Sequence, residues 1–138
     1  MLLKDKYAVV TGCNRGIGKK ILEVFSENGA KVFACVRNNN EEFKSYLNEL
    51  KNKFNNEIIP IQFDLSDEHQ IKEAANKILS KNNHIDILVN NAAAIHTAIF
   101  QMTPVKKLKE IFEVNFFSQT IFTQYILKSM IKKKSGSI

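Results

Sequence analysis

The chain of 138 residues is poor in several residue types. It contains only two cysteines and two prolines, and it has no tryptophan. Cys13 and Cys35 have neither the spacing of a metal site nor that of a CxxC redox motif. Each lies in or beside a segment expected to be a buried strand, where cysteine behaves as a small apolar residue. We therefore expect no metal, no redox chemistry and no disulfide.

Long hydrophobic runs are missing as well. No apolar stretch approaches the roughly 20 residues that a membrane-spanning helix needs. The first six residues lead directly into a strand-like segment, without the apolar region or the small-residue cleavage site of a signal peptide. We expect a cytoplasmic protein that does not bind a membrane.

Basic residues outnumber acidic ones, 20 to 14, which gives a formal net charge of +6. Most lysines are interspersed with acids, and the densest run, Lys132–Lys134, lies where a helix is expected to end, a position that favours cations. We expect a solvated surface and no nucleic-acid partner, with a polyanion-binding patch as the alternative. A mildly positive protein also suits a phosphate-bearing cofactor.

Strand-like and helix-like segments alternate along the chain. Short apolar runs predict strands at 7–11, 31–36, 58–63 and 85–89, and apolar residues at helical spacing predict helices at 19–28, around 43–50, at 67–80 and through 104–134. This alternation predicts a parallel sheet covered by helices on both faces. Right-handed crossovers then give a doubly wound α/β fold with strand order 3-2-1-4.

The last residues indicate an incomplete domain. Ser135–Ile138 has the pattern of a turn followed by the first residue of a fifth strand, where a finished domain rarely stops. Residues 1–138 are therefore interpreted as the N-terminal portion of one domain, truncated near the start of that strand. Such a piece leaves the fourth strand as an unpaired edge beside exposed apolar helix surface, so we expect it to self-associate or to be marginally folded.

A glycine-rich loop with the spacing GxxxGxG follows the first expected strand and opens the first helix. Glycines there allow a sharp turn and a close approach to a pyrophosphate, and the helix N-terminus supplies free N–H groups. A nucleoside-triphosphate P-loop is excluded, because Cys13 stands where its first glycine would be and Lys19 is followed by lysine. The alternative is a purely structural turn. We predict dinucleotide binding by Gly12, Cys13, Asn14, Arg15, Gly16, Ile17 and Gly18.

Four motifs in this order make the chain resemble the short-chain dehydrogenase/reductase family. They are the Thr-Gly-x-x-x-Gly-x-Gly loop at 11–18, Asp64 with Leu65 after the third strand, Asn90-Asn91-Ala92-Ala93 after the fourth strand, and Asn115 on the long helix. The resemblance implies a Rossmann-type three-layer αβα fold, a nicotinamide dinucleotide, and hydride transfer to a carbonyl or from a secondary alcohol. Among relatives, the motifs look most like those of β-ketoacyl-acyl-carrier-protein reductases.

The resemblance also implies roles for these residues. Asp64 corresponds to the family's adenine-contacting acid, and Leu65 stands beside it. Asn91–Ala93 belongs to the cofactor-binding loop after the fourth strand, although Ala93 replaces the family's usual glycine. Asn115 corresponds to the helix asparagine that helps to hold a proton-relay water, which makes it the catalytic candidate of this chain.

The choice between NAD and NADP depends on the end of the second strand. An NAD site usually has an acid there, about 20 residues beyond the glycines, to bind the ribose 2′-hydroxyl. This chain has Val36-Arg37-Asn38 instead, and an arginine can pair with a 2′-phosphate through two parallel hydrogen bonds. Arg15 is a second candidate for that phosphate. We predict NADP(H) rather than NAD(H), the alternative being that either arginine only solvates its loop.

The acid–base residues of the resembling family are absent. The family uses a tyrosine, a lysine four residues later that lowers the tyrosine pKa, and a nearby serine. Here the residues four positions after the three tyrosines are Thr11, Leu50 and Ser129. We expect the chain alone to bind cofactor without turnover, whereas the complete protein would be an oxidoreductase. The alternative is a non-catalytic nucleotide-binding or interaction module, or the inert remnant of a damaged gene.

The long helical region at 104–134 is apolar on most sides. Such a stretch is expected to pack between the sheet and another subunit or another part of the chain. In the resembling family this helix packs in a tetramer, so we expect a homo-oligomer. His96, in the loop after the fourth strand, is a minor candidate for substrate contact, and the three histidines share no metal-ligand spacing.

Overall fold

A computed structural model describes residues 1–82 and 84–138. In these ranges the strands are β1 (Tyr7–Thr11), β2 (Lys31–Val36), β3 (Ile58–Gln62) and β4 (Ile87–Val89). The α-helices are α1 (Gly16–Glu27), α2 (Glu41–Phe54), α3 (Glu68–Lys81), α4 (Val105–Phe112) and α5 (Gln119–Lys133). A 3₁₀ turn at Phe100–Met102 precedes α4, and a π-helical turn at Glu113–Ser118 joins α4 to α5.

The strands form one parallel sheet in the order β3-β2-β1-β4, which confirms the predicted order. The register pairs Thr11 with Cys35 and Val10 with Val89, and Val36 of β2 lies opposite the last residue of β3. The strands therefore end at nearly the same level. The loops that follow them open on one side of the sheet, termed here the carboxyl edge.

Helices cover both faces of the sheet, and the predicted three-layer αβα arrangement is confirmed. Val9 of β1 packs with α3 and α5, where Ile78 and Phe122 are fully buried. Its neighbour Val10 belongs to the second core, formed with α1 and α2 around Leu22. Because successive residues of a strand point to opposite faces and both faces are covered, these strands are apolar almost without interruption.

The observed ends of several elements differ from the predicted ones. α1 begins at Gly16 rather than at residue 19, since the last two loop glycines form its first turn. β4 begins at Ile87 rather than at residue 85, because the Asp86 side chain accepts the Tyr7 N–H at 2.9 Å in place of a backbone acceptor. β3 ends at Gln62, one residue early.

The helical region predicted at 104–134 is divided into three parts. α4 ends at Phe112, the π-helical turn follows, and α5 continues to Lys133. Lys134 then adopts the left-handed conformation, with φ 54°, that commonly ends a helix. The lysines of the last turn thus lie at the helix C-terminus, as predicted. Within the described ranges no helix is long and apolar enough to cross a membrane.

Ser137 continues the sheet beyond β4. It pairs in parallel with Ile87, donates its N–H to the Asp86 carbonyl at 2.9 Å and accepts the Leu88 N–H at 2.9 Å. This isolated bridge lies in the segment where the first residue of a fifth strand was predicted. β4 remains the edge strand of the four-stranded sheet, as expected, apart from this one paired position.

Candidate functional site

The predicted site residues come together along the carboxyl edge. The glycine loop follows β1, Arg37 follows β2, Asp64 lies two residues beyond β3, and Asn90 follows β4. β1 has β2 on one side and β4 on the other, so the chain crosses over in opposite directions from this point. A crevice opens at such a switch point of a doubly wound sheet, and it is the usual place for a ligand.

The three loop glycines are required for different physical reasons. Gly12 and Gly16 have φ of +74° and +55°, a left-handed conformation that costs an L-residue roughly 1–2 kcal/mol. Gly18 is helical, but a Cβ there would lie 2.2 Å from the Gly12 carbonyl oxygen. A Cβ on Gly16 would meet no described atom within 4 Å. The loop is therefore packed tightly against α1 at its ends and leaves open space in front of the helix at Gly16.

The N-terminus of α1 has no side-chain cap among the described residues and no acid in its first turn. By contrast, the Asn40 side chain caps α2, the Asp67 side chain caps α3, and both helices have glutamate in the first turn. The first N–H groups of α1 therefore lack side-chain acceptors, and the positive end of its dipole is not compensated by an acid. Phosphate oxygens would satisfy both requirements.

Cys13 contributes only its backbone to the loop. Its thiol is fully buried and donates to the Val10 carbonyl at 3.1 Å, and burial raises the pKa of Cys13 to about 12. Its N–H donates to the Cys35 carbonyl at 3.2 Å and is not free for a ligand. The thiol and the N–H of Cys13 therefore shape the loop, whereas Asn14 and Arg15 are exposed.

Arg37 and Asp64 frame the side of the crevice above β2 and β3. The Arg37 side chain is exposed. Asp64 is half-buried, and its Oδ1 accepts the Ser66 N–H at 2.8 Å and the Ser66 hydroxyl at 2.7 Å, which fixes the carboxylate at the end of β3. Leu65 packs into the core. Ile17, on the first turn of α1, is 74% exposed, a large apolar side chain beside the open space.

Thr11 joins the glycine loop to the loop after β4, and sequence reasoning missed it. Its Oγ1 accepts the N–H groups of Asn91 and Ala92, both at 3.0 Å, and donates to the Val89 carbonyl at 3.3 Å. The Asn91 side chain donates in return to the carbonyls of Thr11, at 2.9 Å, and Gly12, at 3.3 Å. The sequence placed Thr11 in the glycine-loop motif and at the end of an apolar strand, where a buried hydroxyl needs partners, but it did not indicate which partners these are.

Asn115 lies in the π-helical turn and reaches the same loop. Its Oδ1 accepts the Ala94 N–H at 2.7 Å, and its Nδ2 donates to the Ala94 carbonyl at 2.9 Å. Both polar atoms of the amide bond to Ala94, so the side chain helps to position the loop, and its part in holding a relay water stays a prediction. Ala93 is exposed, and its methyl group does not enter these contacts.

The motifs and their arrangement match a known family. The model of the short chain dehydrogenase family matches residues 6–138. The chain belongs to the short-chain dehydrogenase family. Dehydrogenase/reductase SDR family member 7B of Danio rerio is 33% identical over 141 residues, which cover 99% of this chain and 45% of that protein. The 3-oxoacyl-[acyl-carrier-protein] reductase FabG of Aquifex aeolicus is 32% identical over 136 residues, 99% of this chain and 54% of that protein.

Solved structures have the same fold. L-sorbose reductase from Gluconobacter frateurii, complexed with NADPH and L-sorbose, matches with a TM-score of 0.89 at 23% identity, over 99% of this chain and 52% of that chain. A short-chain dehydrogenase from Streptomyces avermitilis matches with a TM-score of 0.84 at 27% identity, over 99% of this chain and 48% of that chain. The chain spans about half the length of the curated relatives it matches.

A second cluster of charged groups lies before β4, away from the carboxyl edge. Asp86 is 8% exposed and lies 3.2 Å from Lys6 Nζ and 2.9 Å from His84 Nε2. Burial disfavours its ionisation, but the hydrogen bonds from the Tyr7 N–H, His84 and Lys6 outweigh burial and lower the pKa of Asp86 to about 2. This cluster joins the N-terminal segment to the sheet.

The remaining two histidines lie on the surface. His96 is exposed in the loop after β4, and His69 is exposed on α3. Within residues 1–82 and 84–138, no group of three or more His, Cys, Asp or Glu side chains could hold a metal ion. Substrate contact by His96 stays a prediction.

Proposed function

We propose that this short-chain dehydrogenase chain binds NADP(H) along its carboxyl edge, and that the whole protein transfers a hydride between the nicotinamide and a carbonyl or secondary alcohol. The observation that carries the proposal is the uncapped, acid-free N-terminus of α1 at the switch point of the sheet. The open space at Gly16 leaves room for a pyrophosphate against these N–H groups. The L-sorbose reductase neighbour, which is complexed with NADPH, supports the choice of cofactor.

The strand order assigns the two halves of the cofactor to opposite sides of α1. Arg37 and Asp64 follow β2 and β3, so we place the adenosine half, with its 2′-phosphate, on that side. The nicotinamide half then lies beside residues 90–94, which follow β4. The proposed binding residues are Gly12, Asn14, Arg15, Gly16, Ile17, Gly18, Arg37, Asp64, Leu65, Asn91, Ala92 and Ala93, with Cys13 contributing loop shape alone.

Two arginines favour NADP(H) over NAD(H). Arg15 precedes α1, Arg37 follows β2, and both are exposed. The three residues after Arg37 are asparagines, so no carboxylate stands there to bind a 2′-hydroxyl or to repel a 2′-phosphate. A guanidinium can form charge-assisted parallel hydrogen bonds to that phosphate.

The residues of this chain bind and orient rather than transfer protons. When bound, the nicotinamide supplies or accepts the hydride. α1 and the glycine loop hold the phosphates, Thr11 and Asn91 fix the loop after β4, and Asn115 holds Ala94. None of the three tyrosines has a lysine four residues later, so acid–base chemistry is proposed for the whole protein and not for these 138 residues. A 3-oxoacyl-[acyl-carrier-protein], the substrate in the name of the Aquifex aeolicus relative, is one candidate carbonyl compound.

We also propose that the whole protein is a homo-oligomer. Three aromatic side chains at and before the π-helical turn are largely exposed: Phe112 at 64%, Phe116 at 59% and Phe117 at 52%. A contiguous apolar patch of this kind marks an interaction surface more often than a free one.

A calorimetric titration of the chain with NADPH and with NADH tests the cofactor assignment. We expect NADPH to bind more tightly. Arg37→Asp removes a charge-assisted pair and adds a like charge, so it should weaken NADPH binding roughly 30-fold; it should not weaken NADH binding, because an acid there can bind the ribose 2′-hydroxyl. Lys77→Asp makes the same charge change on the exposed surface of α3 and should leave both affinities unchanged.

Equal binding of the two cofactors by the wild-type chain would refute the NADP assignment. If a folded sample binds neither cofactor, the glycine loop is purely structural and the non-catalytic interaction module is the better hypothesis. If the chain binds a cofactor, the next measurement is turnover of a carbonyl substrate by the full-length protein. Turnover would show an enzyme, and its absence would favour a nucleotide-binding module.

A further inference from the structure

The π-helical turn and α5 carry three polar side chains at intervals of four residues, which brings them to one side of the helix. This side faces the loop after β4. Each of the three bonds to a different residue of that loop, and the order is antiparallel: Asn115 to Ala94, Gln119 to Ala92 and Thr123 to Asn90.

Gln119 makes the central contact. Its Nε2 donates to the Ala92 carbonyl oxygen at 2.5 Å. Because a carbonyl oxygen can only accept, the glutamine has to present its NH₂ group here. The Ala92 N–H donates on the other side to Thr11 Oγ1 at 3.0 Å. Ala92 is therefore held from both directions, by β1 through its N–H and by α5 through its carbonyl.

The neighbouring residues of the loop divide between the same two supports. Asn90 donates from Nδ2 to Thr123 Oγ1 at 2.9 Å, on the α5 side. Asn91 turns the other way and donates its side chain to the glycine loop. Ala92 is the one residue of the three whose peptide groups bond to both sides, so its orientation couples the helix to the glycine loop.

We propose that Gln119 is a positioning residue for the nicotinamide half of the cofactor. This inference rests on the proposed function, which places that half beside residues 90–94. A half-buried side chain in a helix could equally be apolar, since packing alone needs no donor. The donor matters because it fixes the orientation of the Ala92 peptide. The loop at residues 90–94 then keeps one shape where it contacts the nicotinamide ring. Without this donor the Ala92 carbonyl is released from α5, whereas the contacts of Thr11 and Asn91 still hold the glycine loop, so the α1 side of the crevice keeps its shape.

Two ligands separate this role from a general effect on the fold. NADP⁺ contains the nicotinamide, and 2′-phospho-ADP-ribose is the same molecule without it. The wild-type chain should bind NADP⁺ more tightly than 2′-phospho-ADP-ribose. Gln119→Met keeps the length and removes the donor, and it should weaken NADP⁺ binding about tenfold while leaving 2′-phospho-ADP-ribose unchanged.

Two further variants complete the experiment. Gln119→Glu keeps the shape but places a carboxylate against the Ala92 carbonyl at pH 7.5, so NADP⁺ binding should fall at least as far as in Gln119→Met. Gln124→Met, on the exposed side of the same helix, should leave both affinities at the wild-type value. The midpoint of urea unfolding, measured for each variant, reports any loss of stability.

The inference is overturned if Gln119→Met leaves NADP⁺ binding unchanged, or if it weakens both ligands equally together with a lower unfolding midpoint, since Gln119 would then be merely structural. It is also overturned if the wild-type chain binds the two ligands equally, a result that leaves the proposed function intact. Binding of neither ligand by the folded wild-type chain refutes the proposed function itself.

Discussion

Replacing Gly18 by alanine tests how closely α1 packs on the glycine loop. The new Cβ would lie 2.2 Å from the Gly12 carbonyl oxygen and 2.4 Å from Asn91 Nδ2. Real Cβ atoms do not approach heavy atoms more closely than 3.0 Å, so the helix would have to move away by roughly 0.8 Å. Such a shift separates the N–H groups of α1 from the loop that is proposed to cradle the pyrophosphate.

The expected cost follows from two opposing terms. Overpacking costs about 1–3 kcal/mol, and the upper end applies here because the clash is with backbone that cannot rotate away. Alanine in a helix gains up to about 1 kcal/mol over glycine. The free energy of unfolding of Gly18→Ala should therefore fall by about 2 kcal/mol, and NADPH binding should weaken about tenfold.

Urea unfolding followed by circular dichroism measures the stability, and Gly16→Ala is the matched control. At Gly16 a Cβ meets no described atom within 4 Å, so only the left-handed backbone is strained, at a cost of about 1 kcal/mol. A Gly18→Ala protein as stable as the wild type, or more stable than Gly16→Ala, would refute the reasoning.

Three further predictions concern other contacts. Thr11→Val leaves the N–H groups of Asn91 and Ala92 without their acceptor, so it should lower the free energy of unfolding, measured in urea, by about 2–3 kcal/mol. The control Thr120→Val, at an exposed position, should change it little, and equal effects of the two variants would contradict the prediction. Asp86→Asn should remove about 2 kcal/mol at pH 7. The pKa of Asp86 in the folded chain, about 2, lies below its ordinary value of 3.8, so this stabilisation is present above pH 3.8 and is lost as the pH falls through 2. If the free energy of unfolding of the wild type in urea did not fall between pH 3.8 and pH 2, the prediction would be wrong. Phe116→Glu should reduce self-association of the chain in sedimentation velocity, and an unchanged distribution would count against the aromatic patch.

The layers and the strand order could be predicted from the sequence because they depend on local patterns. Strands buried on both faces are continuous apolar runs, and the handedness of crossovers leaves few orders for a βαβα chain. The glycine loop was equally predictable, since its spacing is a backbone requirement. The burial of the Cys13 thiol was expected from its place beside an apolar strand, whereas its hydrogen bond to the Val10 carbonyl was not, because the turn at Gly12 decides which way the next side chain points.

The contacts that hold the site together could not be predicted from the sequence, because they join residues that are far apart in the chain. Thr11 and Asn91 are 80 residues apart in sequence and meet only because β1 and β4 are neighbours in the sheet. The same holds for Asp86, whose carboxylate takes the N–H of Tyr7, 79 residues away. Gln119 is one of many polar residues on a helix, and nothing in its local pattern marks the acceptor that it faces.

The π-helical turn at Glu113–Ser118 also constrains how the length of this chain can change. Its hydrogen bonds span five residues instead of four, so it contains one residue more than the α-helical turn it replaces. Removing one residue there would rotate everything before it by about 100° relative to α5. Asn115 would then leave Ala94, and the exposed phenylalanines would point elsewhere. Among related sequences, insertions and deletions should therefore be found in the loop before α4 and not within these six residues. In this turn the count of residues matters as much as their identity.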